Sequence, residues 1–103
     1  MKIIKKLEEL IDEEIESVRD YAELAIMVKA EHPSLAQALY SISAQEDTHQ
    51  ATLHSEVVKL IEEHRRTKGA PPAEMLAVYD YLHKRHIEKL AEARRYQDMY
   101  KNS

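Results

Sequence analysis

The chain has one glycine and three prolines, and all of them fall in two places. Pro33 follows Glu31-His32, and Gly69-Ala70-Pro71-Pro72 forms the other break. Gly and Pro are the strongest punctuators of regular structure, so the stretches between these breaks are long uninterrupted elements whose type is set by their periodicity. From Lys2 to about Ala30, Ile4, Leu7, Ile11, Val18, Tyr21, Ala25 and Val28 recur in steps of four and three, and Ile3, Leu10, Ile15, Leu24 and Ile26 widen that stripe. This is the pattern of an amphipathic helix. A second helix is expected from about Pro33, a residue suited to a first turn, to Thr67, with Leu35, Leu39, Ile42, Glu46, His49, Leu53 and Leu60 on one face. A third is expected over about Ala73 to Lys101, on Met75, Leu76, Tyr79, Leu82, His86, Leu90, Ala93 and Tyr100. The fold class is therefore all-α: a single domain over residues 1–103, an up-down helical hairpin followed by a third helix. The shortness of the first turn makes helices one and two antiparallel neighbours.

Composition narrows the function. The 12.0 kDa chain is 44% hydrophobic and 33% charged, without Phe or Trp. A chain of this size buries only about two-thirds of its unfolded surface, which favours a homodimer or larger homo-oligomer. Cysteine is absent, so a metal would be held by oxygen and nitrogen alone. The net charge of −4, with Lys and Arg scattered, argues against nucleic acid as a partner. No apolar run approaches the roughly 20 residues of a membrane span, and the opening residues Met1 to Lys6 lack a signal-peptide core, so a cytoplasmic protein without a membrane partner is expected.

Ionisable residues interrupt the stripes. Glu46 and His49 stand in the apolar face of helix two, almost above one another, so both can reach one metal ion. Glu14 takes the core-facing slot between Ile11 and Val18 in helix one, while Glu8, Glu9, Asp12, Glu13 and Glu16 are assigned to its other faces. Alone, Glu14 reads as a stripe-edge carboxylate reaching water. Counted outward from the turn at a rise of 1.5 Å per residue, however, Glu14, Glu46 and His49 share one level, roughly 20 to 26 Å away. Tyr21, two turns beyond Glu14, either donates its hydroxyl to a carboxylate or fills core. His86 lies about a turn from that level. It is a secondary ligand or access-path candidate, the alternative being a core histidine bonded to a Tyr or to Glu56. His83 and Glu56 are left without a settled role, and His32, His54 and His64 read as surface or turn residues.

The run Glu14-Ile15-Glu16-Ser17-Val18-Arg19-Asp20-Tyr21, then Ala25 and Glu46-x-x-His49, resembles the first two helices of the ferritin-like superfamily, including rubrerythrins, bacterioferritins and encapsulated ferritins, over about Leu7 to Leu60. The resemblance implies Glu14 as a terminal carboxylate ligand, Glu46 as a bridging one, His49 as the nitrogen ligand and Tyr21 as a supporting residue behind them. The departures are a missing fourth helix, a short connection after helix two and no second Glu-x-x-His. Encapsulated ferritins meet the same shortage by pairing two chains, which implies a homodimer completing a four-helix bundle around two metals. The tail Gln97 to Ser103 shows no apolar, Gly-linked targeting peptide, so packaging in a shell has no support.

Two carboxylates and one imidazole per metal suit iron, with manganese the alternative, and a di-iron centre can pass one electron from each metal to O₂ or peroxide. The expected activity is ferroxidase-type oxidation of Fe(II), in iron handling or peroxide protection. The competing expectation is a non-catalytic helical oligomer whose Glu14, Glu46 and His49 form a buried polar network that sets subunit pairing. An adaptor presenting an acidic helical face is a third.

Overall fold

The computed structural model describes residues 2–103. Among them are three helices, α1 (Lys2–Val28), α2 (Pro33–Lys68) and α3 (Ala73–Lys101), with no strand. The expected boundaries hold to within two residues. α1 ends at Val28, where His32 N–H bonds Val28 O at 2.8 Å, and Pro33 opens α2. Gly69 closes α2 with φ +85°, a conformation L side chains rarely adopt, and its N–H bonds Arg65 O at 3.2 Å. The molecule is a rod of 56 × 18 × 18 Å.

α1 is the central helix. It packs along both α2 and α3, whose own backbones scarcely approach each other. The buried row on α1 is Ile4, Glu8, Ile11, Ile15, Val18, Ala22 and Ala25. Toward the turn its contact with α2 is made by small side chains: Ala22, Ala25, Ala36 and Ser43 are all 0% exposed. Small residues let two backbones come close. Ser43 Oγ then donates to Val18 O at 2.6 Å and accepts from Gln97 Nε2 of α3 at 3.0 Å, so one hydroxyl ties all three helices. At the other end Ile4, Ile11, Ile15 and Val57 form a larger-residue core, joined by Leu7, Leu53, Leu60 and Tyr79. The end of α3 is tied back to the first turn by Lys29 Nζ, which donates to Tyr100 O at 3.0 Å and Ser103 O at 2.8 Å.

α3 lies against one flank of α1, as Lys89 with Asp12 and Glu16 and Arg19 with Glu92 show. At 100° per residue, Glu14 and its row neighbours Ile3, Leu10 and Leu24 fall on the opposite flank. That flank is uncovered in one chain: Ile3, Leu10 and Leu24 on α1 are 53%, 46% and 43% exposed, and Leu35 on α2 is 49% exposed. The α1 stripe read from the sequence is thus two adjacent rows. One is buried, and the other fronts solvent.

Ala22→Leu adds volume at a fully buried position of α1. The expected result is a loss of about 1 to 3 kcal/mol, measured as a lower denaturation midpoint; an unchanged midpoint contradicts close packing at this seam.

Candidate metal centre

The register of α1 against α2 brings Glu14, Glu46 and His49 together, as level counting expects. One donor atom from each lies within 4.8 Å of the others. His49 Nδ1 is 3.6 Å from Glu14 Oε2 and 3.6 Å from Glu46 Oε1. The expected interior position is corrected: the side chains of Glu14 and Glu46 are 28% and 21% exposed and that of His49 is 57% exposed. The reason is the placement of α3 on the far flank of α1, which leaves this face of the hairpin open.

The electrostatics are those of a site short of positive charge. A hydrogen-bonding contact with Glu46 raises the Glu14 pKa from its ordinary value of 4.5; burial and the Glu46 charge push the same way, and His49 opposes them. Glu14 Oε2 is buried without a hydrogen-bond partner. A divalent cation fits this set. Metal bonds to oxygen and nitrogen of about 2.0 to 2.2 Å put opposite ligands near 4 Å apart, so small side-chain adjustments bring all three donors onto one ion. Two oxygens and one imidazole are a donor set for iron or manganese, and three ligands leave coordination positions free.

The other sequence candidates lie elsewhere. Tyr21 packs with the cluster of Ala25, Ala36, Leu39 and Tyr100, and among the described residues no hydrogen bond joins its hydroxyl to Glu14 or Glu46. His86 is on the α3 side of α1, its Nδ1 3.2 Å from Glu8 and its Nε2 3.5 Å from Asp12, in place of the expected Tyr or Glu56. Glu8, assigned to an outer face, is in fact the most buried carboxylate of α1, at 5% exposure. The signal was present in the spacing Ile4, Glu8, Ile11, Ile15. His54 and His64 are half-buried, not at the surface. Burial chiefly, and then the neighbouring His83, lowers the His54 pKa below 6.5.

The residue beside Glu46 carries no signal in the helical pattern. Asp47 accepts two hydrogen bonds from Arg94 of α3, both at 2.9 Å, and a third from Gln50 at 3.0 Å. Burial alone would raise the Asp47 pKa, but the bonds from Arg94 and Gln50 outweigh it and the net shift is downward. The pair holds the α2 backbone next to Glu46 from the side away from the open face. No family model, curated protein or solved structure matches this chain.

A raised Glu14 pKa means that the metal-free fold binds more protons than the unfolded chain between 4.5 and the raised value, so stability falls as pH rises through that window. Glu14→Gln removes this dependence. In metal-free protein its melting temperature is expected to match wild type at acid pH and to exceed it increasingly toward neutral pH. A difference independent of pH contradicts the assignment.

Proposed function

We propose that this chain is half of a ferritin-like di-iron protein, and that two copies pair through their open α1–α2 faces to complete a four-helix bundle. The observation that carries the reading is the convergence of Glu14, Glu46 and His49 at the middle of an uncovered apolar face. Ile3, Leu7 and Leu10 lie on one side of the three along α1, and Tyr21, Leu24 and Val28 on the other. Leu53 and Leu60, then Ile42 and Leu35, flank them along α2. A partner seated there buries the leucines and turns a half-exposed triad into an enclosed one. It also adds a second Glu and Glu-x-x-His set, which repairs the shortage of ligands in one chain.

Glu14 and Glu46 would supply the negative charge that binds the metals and His49 the nitrogen, with the flanking apolar rows excluding bulk water. When bound, a pair of irons would supply one reducing equivalent from each metal to O₂ or peroxide, the chemistry of a ferroxidase; manganese is the alternative metal. Asp47 and Arg94 hold α2 in place behind Glu46. The competing reading, a non-catalytic polar network between subunits, fits less well. A partner's copy of the triad would enclose four carboxylates with two imidazoles, an excess of negative charge that hydrogen bonds among these groups do not neutralise and metal ions do.

Anaerobic protein dialysed against Fe(II) is expected to hold one iron per chain, to run as a dimer, and to oxidise Fe(II) on admission of air faster than buffer does. Glu46→Ala is expected to lose both the iron and the rate. Absence of iron from wild-type protein overturns the metal reading, and a dimer that weakens in Glu46→Ala then favours the network.

A further inference from the structure

A second set of ionisable side chains lies within the three-helix core, away from Glu14, Glu46 and His49. Glu8 is the one charged residue in the buried row of α1, about 9 Å along the helix from Glu14 and turned toward α3. Both of its carboxylate oxygens are buried without a hydrogen-bond partner. A carboxylate so placed is costly unless a cation meets it. His86 of α3, 7% exposed, is the nearest donor, with Nδ1 at 3.2 Å from Glu8 Oε2, yet the contact lacks the direction of a hydrogen bond. That separation suits two ligands of one four-coordinate ion, since bonds of about 2.0 to 2.1 Å at tetrahedral angles set neighbouring donors about 3.3 Å apart.

Two further imidazoles stand at the same level. His54 of α2 and His83 of α3 stack at 4.7 Å between centroids, with their planes 10° apart. Together with His86 they line one cavity of about 210 Å³, alongside Ile11 and Gln50, and Glu8 lines the neighbouring cavity with His86 and Asp12. His86 therefore stands between the buried carboxylate of α1 and two imidazoles of α2 and α3, and of these four only Glu8 and His86 are already at ligand spacing.

We propose that Glu8, His54, His83 and His86 form a second metal site, for a borderline divalent ion such as zinc. Glu8 and His86 are its preformed edge. His54 and His83 join by turning out of their stack. Its nitrogen-rich donor set separates it chemically from the carboxylate-rich triad, because imidazole suits zinc whereas carboxylate suits harder ions. It also has a structural consequence: a bound ion would join α2 to α3 where their backbones scarcely approach, clamping α3 onto the hairpin.

The test uses the variant E14Q/E46Q/H49Q, which lacks the open-face triad, titrated with Co(II) as a coloured stand-in for zinc. Saturation at one equivalent per chain, with the visible absorption of a four-coordinate ion that Zn(II) then bleaches, is expected. Adding H54Q/H83Q is expected to weaken Co(II) at least tenfold with helix content retained. Without further substitution, long-range ¹H–¹⁵N spectra should show Zn(II) moving the ring signals of His54, His83 and His86 and leaving those of His32 and His64. No cobalt colour, an affinity indifferent to H54Q/H83Q, or zinc shifts confined to other histidines overturns the proposal. Iron binding by wild type is read separately, so failure of either site leaves the other standing.

Discussion

Every placement in this molecule depends on how closely α1 and α2 approach and in what register. Ala22, Ala25, Ala36 and Ser43 remove the side-chain bulk that would hold the backbones apart, and Ser43 Oγ bonded to Val18 O fixes their relative height. The short connection between Val28 and Pro33 leaves little slack to slide. Glu14 then has to stand opposite Glu46 and His49. A register slip of one helical turn, about 5.4 Å, would leave these groups facing leucines and isoleucines. The alanine seam lies at one end of the hairpin and the carboxylates at its middle, so packing near the turn determines electrostatics further along.

α3 gives the hairpin two unlike flanks. On its side, ion pairs such as Lys89 with Asp12 and Arg94 with Asp47 tie long side chains across a gap that the backbones do not close. On the other side, apolar residues at helical spacing surround two carboxylates that repel each other. Exposed leucines beside a half-buried acidic pair are a poor arrangement for a lone chain, since each gains from a covering the chain does not provide. In the proposed dimer one event answers both needs: a partner face buries the leucines, and metal ions neutralise the carboxylates. Association and metal binding would then be thermodynamically linked, each strengthening the other.

Much of the fold was legible because helices announce themselves by period and by their breaks. Pro33 and Gly69 to Pro72 mark the turns, and constant rise per residue turns a short loop into a level prediction that put Glu14, Glu46 and His49 together. Facing was harder to read. α1 has two neighbours and an open side, so apolar residues occupy most of its circumference, and a single stripe through Leu7, Glu14 and Tyr21 looks as good as one through Glu8, Ile15 and Ala22. Only the position of α3 separates them, and that depends on long-range pairs such as His86 with Glu8 that no local pattern encodes. Hence Glu8 was assigned outward, and the triad was placed inside when it stands at a surface. His54 reads as a surface residue for the same reason, its neighbour being His83 of another helix.

The central claim is that the three side chains on the open face bind metal between two copies of the chain. Anomalous diffraction at the iron edge, from crystals grown with Fe(II), tests this most directly. The account requires an iron peak among Glu14, Glu46 and His49, with a second peak beside it at the same residues of a symmetry-related copy. Iron bound elsewhere, or an open face turned to solvent with no peak upon it, would contradict it.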